Sequence, residues 1–319
     1  MRRIDFNSLS FSVIGGDKVE GILPLWKPRG MTSHDCVFKI RKILKTKKVG
    51  HTGTLDPDVD GVLPLCIGRA TKVAEYLTES QKAYEGEVTI GRATTTEDAS
   101  GEVVEEKSII GQITTEEIKE VLHKFHGEIT QVPPMFSAVK VNGKRLYEYA
   151  RQGIEVDRPE RTITIYEFKL LDSFEFLDHK NNSFRFFVKA SKGTYVRTLA
   201  VDIGKALGYP AHMSNLTRVA SGSFDRDDCL TFEEIQEKVE TGKLELFPLE
   251  RAISHLTKLK INEKLEMQIK NGQVLSIPEG FENESRLAII NKNNDCVAIY
   301  IPHPTKEGLM KPEKVIRNT

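Results

Sequence analysis

Apolar positions recur along this chain with two periods, and each period predicts a different element. From Gly21 the run Ile-Leu-Pro-Leu-Trp reads as a strand entering a Pro28/Gly30 turn. Val37, Ile40, Ile43 and Leu44 then fall on one face at helical spacing, with Thr32 or Ser33 as the cap and Asp35 in the first turn. Residues 62–67 form a continuous apolar run of buried-strand type, and 84–90 reads as a further strand. Thr114 and Glu117 predict a capping box for a helix carrying Ile118, Val121, Leu122 and Phe125, stopped by Gly127. Strands are expected over 162–170 and 184–190, the latter alternating Phe184, Phe186 and Val188. A helix over 198–207 ends at Gly208, and Thr231 with Glu234 caps another. Past residue 250 the apolar runs 287–291 and 296–301 flank a Lys-Asn-Asn-Asp turn and predict a hairpin.

Mixed helices and strands of this kind imply an α+β chain, and 319 residues with 39% hydrophobic content suffice for a main domain and a smaller one. The main domain is expected over 21–250 and a small β-rich domain over 251–319. Residues 1–20 are expected to be a disordered extension; the apolar stretch after Met1-Arg2-Arg3 is too short and too broken by Asp5 and Asn7 for a signal peptide. Pro133-Pro134 interrupts regular structure, and about 134–160 reads as a mobile insertion with a short helix, rich in Lys140, Lys144, Arg145, Tyr147, Tyr149 and Arg151.

Charge and cysteine usage narrow the function. The 46 basic and 46 acidic residues cancel, so any polyanion-binding surface has to come from local clustering. Such a cluster lies at Lys39, Arg41, Lys42, Lys45, Lys47 and Lys48, although composition alone favours an ordinary solvated helix face there. The four scattered cysteines contain no CxxC pair, which suits a reducing cytoplasm, and the eight histidines show no zinc-binding spacing, so no metal site is expected. No apolar run reaches the roughly 20 residues a bilayer requires.

Two segments carry candidate chemistry. In His51-Thr-Gly-Thr-Leu-Asp56-Pro57 the proline disfavours helical backbone at Asp56, and Gly50 and Gly53 permit tight turns, so the carboxylate sits on a constrained loop. Gly193-Thr-Tyr195-Val-Arg197 follows a strand pattern, which would project Tyr195 and Arg197 from one face. An arginine beside a carboxylate orients it and keeps it ionised; periodicity alone leaves open whether Arg197 meets Asp56 or an ordinary surface acid.

These segments, in this order, together with Lys82-Ala-Tyr84, Pro133-Pro-Met-Phe-Ser-Ala-Val-Lys140, Gly143-Lys-Arg-Leu-Tyr147, Lys27-Pro-Arg-Gly-Met-Thr-Ser-His and Gly91-x-x-Thr-x-Thr-x-Asp98, resemble the motifs of the TruB family of tRNA pseudouridine synthases. The resemblance runs from about Gly21 to the C terminus. It implies a pseudouridine synthase fold, a mixed twisted sheet flanked by helices, followed by a PUA-like RNA-binding domain. It assigns Asp56 as the catalytic aspartate, Tyr195 as a second active-site tyrosine and Arg197 as the partner of the aspartate. Tyr84 would stack on the target base, His51 would meet the flipped T-loop nucleotides, Leu216 would line an apolar pocket, and Lys27 falls in the substrate-binding group.

The implied reaction isomerises uridine at position 55 in the T loop of tRNA, after the base is flipped out of the folded loop. It calls for no cofactor, and both a nucleophilic role for Asp56 and a glycal route assisted by Tyr195 remain open. RNA contacts are expected from Lys140, Lys144 and Arg145 in the insertion, from 39–48 and from the C-terminal domain. The implied partner is the tRNA T arm and the implied state a monomer. Two rivals stand beside this: a noncatalytic tRNA-binding or folding protein, and a metal-dependent phosphohydrolase built on His51, Asp56 and Asp60, for which no further ligand set is visible.

Overall fold

The computed structural model describes residues 19–317 and the backbone of a two-residue strand, Ser12–Val13, which pairs with Glu245–Leu246. Most of the extension expected at 1–20 lies outside the described residues. The chain divides into two compact units, one of Met1–Asp58, Val62–Thr78 and Gly222–Thr319, the other of Val59–Gly61 and Glu79–Ser221.

In the first unit, strand Gly21–Lys27 is buried over most of its length and bridges to Phe247 and Leu230. Helix Ser33–Ile43 follows, capped reciprocally: the Asp35 N–H donates to Thr32 Oγ1 at 3.0 Å and the Thr32 N–H donates to Asp35 Oδ2 at 3.0 Å. The Thr32 hydroxyl, donating to Asp35 Oδ2 at 2.6 Å, and then the Thr32 N–H hold the Asp35 carboxyl below its ordinary pKa. The helix buries Cys36, Val37 and Ile40 against Leu23, Leu25, Leu63 and Leu65, and helix Phe232–Glu240, with the expected Thr231/Glu234 box, adds Phe232 and Ile235 to the same core.

The expected C-terminal hairpin is strands Leu287–Ile290 and Cys296–Pro302, within a five-stranded sheet with Thr257–Lys260, Leu275–Ser276 and Leu309–Val315. Its turn is tied by Asn291 Oδ1, which accepts from the Asn293 and Asp295 N–H groups at 3.0 Å each. Period two splits the strands between two cores. Leu287 and Ile289 pack with Ile269, Val297, Tyr300 and Met310, whereas Ala288, Ile290, Cys296 and Ile299 join Ile22, Val62, Val73, Leu249 and Ile253. The Tyr76 hydroxyl donates to Glu313 at 2.8 Å, and Arg286 donates to the same carboxylate through Nε and Nη2.

The second unit is built on a sheet ordered Ala211–Ser221, Lys82–Ile90, Ser183–Ala190, Arg161–Leu170, Gly127–Gln131, with antiparallel neighbours throughout. Asp60 and Gly61 add in parallel to Thr217 and Arg218, which makes the sheet mixed. Helix Thr115–Lys124, with the expected Thr114/Glu117 box, and helix Val196–Leu207 pack on it. Phe125, Phe168 and Phe186 stack edge to face in succession along that side.

One expected element is replaced. Gly193 (φ +81) turns the chain, the Thr194 hydroxyl donates to the Ser191 carbonyl at 2.9 Å, and Tyr195 is the N-cap of a helix that begins at Val196. Tyr195 and Arg197 therefore do not project from one strand face. The segment expected as an insertion is a hairpin, Lys140–Val141 with Lys144–Arg145, turned by Asn142-Gly143 with φ of 50 and 83, and continued by the short helix Leu146–Ala150.

Candidate active site

Asp56 belongs to the first unit, on the segment between strands Val49–His51 and Asp60–Ile67. It is half-buried, and the backbone on both sides of it is pinned. Before it, the Leu55 N–H donates to Ser33 Oγ at 2.9 Å, and Leu55 itself is buried. After it, the Pro57 carbonyl accepts from the Gly30 N–H at 2.9 Å and from Lys27 Nζ at 3.1 Å. Lys27 is fully buried, and its ammonium also donates to the Pro28 carbonyl at 2.9 Å. Upstream, the buried Thr52 hydroxyl donates to the Pro64 carbonyl at 3.2 Å, and the Gly53 N–H donates to His51 Nδ1 at 3.4 Å. Gly53 takes φ +132, a conformation that favours glycine. Lys27, His51 and Asp56 are thus brought into one motif, in which a turn and the start of a helix fix the backbone carrying the carboxylate.

Tyr84, Tyr195, Arg197 and Leu216 belong to the second unit. Tyr84 lies on the central strand Lys82–Ile90, paired with Val188 on one side and Arg218 on the other. Two residues along, Gly86 pairs with Phe186 and Leu216, so all of these share a sheet face. A Cβ on Gly86 would come within 2.4 Å of the Phe186 ring and 3.1 Å of Leu216, so the glycine is what lets those two side chains close over the strand beside Tyr84. Leu216 is buried and Tyr84 partly exposed, leaving an aromatic ring at the margin of an apolar floor.

Arg197, in the first turn of its helix, is 6% exposed. Its Nη1 donates to the Thr96 carbonyl at 3.0 Å and lies 3.7 Å from Asp98 Oδ2, and its Nη2 donates to the Phe136 carbonyl at 2.9 Å. Asp98 is itself held by the Thr96 and Ser100 hydroxyls at 2.7 and 2.6 Å and by the Ser100 N–H at 3.0 Å. The guanidinium is therefore a permanent positive charge in fixed orientation. Next to it, the Thr198 hydroxyl donates to Glu97 at 2.9 Å; burial pushes the Glu97 carboxyl pKa up, against the pull of that bond and of Arg197.

A residue that sequence reasoning missed holds Tyr195. Gln131 is 1% exposed; its Oε1 accepts from the Tyr195 N–H at 2.8 Å, and its Nε2 donates to the Tyr195 carbonyl at 3.0 Å. The Arg161 guanidinium lies 5.5 Å from the Tyr195 ring centroid. Lys82 was also missed as a buried cation: burial, then the like charges of Arg218 and Lys192, push its pKa down to about 7, and Nζ donates to the Ser80 carbonyl at 2.6 Å. The hairpin residues Lys140, Lys144 and Arg145 are exposed, with Arg145 and Arg151 both set against the Tyr147 ring.

Comparison with known proteins places this geometry. The family model described as "TruB family pseudouridylate synthase (N terminal domain)" matches residues 41–196, and that described as "tRNA pseudouridylate synthase B C-terminal domain" matches 197–256. The chain is similar to tRNA pseudouridine synthase B of Bacillus pumilus, 56% identical over 303 residues that cover 93% of this chain and 98% of that protein. The same protein of Listeria innocua is 56% identical over 301 residues, covering 93% and 98%. Among solved structures, a crystal structure of a Cbf5-Nop10-Gar1 complex matches with a TM-score of 0.73 and 30% identity over 93% of this chain and 85% of that one. An H/ACA RNP bound to a substrate RNA containing 2′-deoxyuridine matches with 0.69 and 27% over 93% and 85%. With pinned Asp56, Tyr84 beside its apolar floor and buried Arg197 all standing on the family's motifs, this chain belongs to the TruB family of pseudouridine synthases.

Proposed function

We propose that this protein converts uridine to pseudouridine in tRNA, at position 55 of the T loop, with Asp56 as the catalytic carboxylate. The observation that carries the reading is the pinning of Asp56 on both sides by Ser33, Gly30 and Lys27, which holds one carboxylate at a set place in a loop that otherwise lacks regular structure. The reaction breaks the C1′–N1 bond, turns the uracil and joins C1′ to C5; the proton lost from C5 is balanced by one gained at N1. Atoms and electrons balance without oxidant, reductant or group donor. An ionised Asp56 acts either by adding to the sugar or by stabilising positive charge there, with Tyr195 available to move a proton.

Base flipping costs stacking, and an aromatic partner recovers about 1–3 kcal/mol per base. Tyr84, with Leu216 and Phe186 beside it on the same sheet face, is that partner. In this reading Arg197 is the cationic partner of the catalytic aspartate and His51 meets the flipped nucleotides, both roles carried over from the family's motifs. Lys27 acts in substrate binding by setting the Pro57 side of the Asp56 loop. The exposed Lys140, Lys144 and Arg145 of the hairpin, and a PUA-like domain over 251–319, grip the T arm of a tRNA bound by a monomer, in the cytoplasm. None of the described helices is long and apolar enough to cross a membrane.

The test is an unmodified tRNA transcript incubated in EDTA with wild type or Asp56→Asn, followed by mapping of pseudouridine. Asp56→Asn should bind the transcript like wild type and lose turnover on the order of 10⁴-fold. Wild type that binds without isomerising would establish the noncatalytic tRNA-folding reading instead.

A further inference from the structure

We propose that the outer surface of helix Ser33–Ile43 and the turn after it, residues 38–48, is a second binding site for the phosphate backbone of the substrate RNA, reaching nucleotides beyond the one that is flipped. This rests on the RNA-modifying reading above. The chain carries no net charge, yet six of the residues from 39 to 48 are basic and none from 36 to 55 is acidic. Lys39, Lys42, Lys45, Lys47 and Lys48 are all exposed, and among the described residues none forms an ion pair. Other surface lysines do, such as Lys119, Lys169, Lys192, Lys205, Lys270 and Lys314. The repulsion among these five exposed ammoniums, close in sequence, is relieved by a polyanion.

Local structure accounts for only part of the cluster. Cations in the last turn of a helix complement its dipole, which covers Arg41 and Lys42, and Arg41 is also engaged with the Val49 carbonyl at 2.9 Å. Lys45, Lys47 and Lys48 lie past the helix end. Lys45 takes φ +48, the left-handed position after a helix where glycine is the unstrained choice, and the chain reverses there through the Thr46 N–H, which donates to the Arg41 carbonyl at 3.1 Å. A long cation is kept where the backbone would be easier with none.

Phe38 decides what kind of polyanion fits. It is 57% exposed at the start of the basic segment, one helical turn from Lys42, whose ammonium lies 5.4 Å from its ring centroid. An exposed aromatic among lysines is the pairing that binds nucleic acid, with bases stacking on the ring while phosphates meet the cations. Lys39 is already oriented, 4.0 Å over the Phe232 ring. Ser33, which pins Leu55, begins the same helix; at about 1.5 Å per residue, Phe38 lies about 8 Å further along the axis and the helix end at Ile43 about 15 Å. The surface therefore addresses a part of the RNA away from the reacting base.

The experiment measures binding of an unmodified tRNA transcript by the full chain between about 50 and 200 mM salt, for wild type, Lys42→Ala/Lys45→Ala/Lys47→Ala, the same three positions changed to Arg, and Phe38→Ala. Removing three phosphate contacts should lower the slope of log affinity against log salt by about 2–3, so the loss of affinity across this range becomes about 20- to 40-fold smaller than in wild type. The arginine variant should keep the wild-type slope, and Phe38→Ala should weaken binding about 5- to 100-fold with the slope unchanged. An alanine variant with wild-type slope and affinity overturns the proposal, as does one that loses only binding to anionic phospholipid vesicles. Pseudouridine formed by wild type in the same samples separates the two readings: its absence sinks the function itself, whereas its presence beside an unchanged slope sinks only this surface.

Discussion

Replacing Gln131 by glutamate changes one buried group from donor to acceptor while keeping shape. In the wild type the amide closes a two-bond ring on the Tyr195 backbone, accepting at 2.8 Å and donating at 3.0 Å, and Gln131 is 1% exposed. In Gln131→Glu at neutral pH the first bond survives, but a second carboxylate oxygen faces the Tyr195 carbonyl with no proton between them. The lost bond costs about 1 kcal/mol, and the two oxygens left buried without a donor bring the total to about 2–4 kcal/mol. For a unit of this size that is a fall in Tm of about 6–12 °C. Only the protonated glutamate can donate to the carbonyl, so its pKa in the fold rises above the ordinary value of about 4.3. That contribution is fully present below the unfolded pKa and is lost as pH rises through the folded one. Thermal unfolding of both proteins near pH 7.5 and near pH 5 should show a wide gap at the higher pH and a narrower one at the lower. A gap that is absent, or equal at the two pH values, refutes the role given to the amide.

Gly61→Ala should cost more than about 3 kcal/mol, because a Cβ there would lie 2.2 Å from the Arg218 carbonyl oxygen at φ +118; a urea midpoint close to wild type would show that the parallel pairing of Gly61 with Arg218 is dispensable. Lys82, with its pKa pushed down to about 7 by burial and by Arg218 and Lys192, gives up its proton in the fold at a pH where the unfolded chain still holds it. The unfolded chain then binds more protons from about pH 7 to 10, so stability should rise with pH over that window, and Lys82→Met should flatten the rise. Parallel stability curves for the two proteins count against a buried ammonium at 82.

What could be read from sequence was local. The capping boxes at Thr114/Glu117 and Thr231/Glu234 need four consecutive residues, and both form. The 184–190 strand declares itself by alternation because one face of it is buried throughout. Strand Ala211–Ser221 escaped, although it pairs along the whole of Lys82–Ile90, because two bulges, at Met213/Asn215 and Arg218/Ala220, each shift the phase of its apolar positions and erase period two. Gly193-Thr-Tyr-Val-Arg197 looks like a strand because aromatic and β-branched residues alternate there. The deciding features are a left-handed glycine and a glutamine 64 residues upstream in sequence, and the second of these no local pattern contains. The family motifs marked Asp56, Tyr84, Tyr195 and Arg197 as residues without indicating what holds each of them.

What holds them is mostly main chain. Lys27 bonds the carbonyls of Pro28 and Pro57, Ser33 the N–H of Leu55, Arg197 the carbonyls of Thr96 and Phe136, and Gln131 both polar groups of Tyr195. A bond to a backbone group fixes a loop whatever side chain that loop residue carries, so each pinning residue constrains several neighbours. Displacement of a reacting group by about 1 Å costs on the order of 100-fold in rate, comparable to removing a direct contact. Motifs in this chain therefore mix two kinds of position: those proposed to meet the substrate, such as Asp56 and Tyr84, and those such as Lys27 whose buried amino group bonds backbone carbonyls. At Lys27 the Pro28 and Pro57 carbonyls supply oxygen acceptors of the kind that a buried amino group needs in place of water, so the loop and the lysine each satisfy a polar group that burial would otherwise penalise.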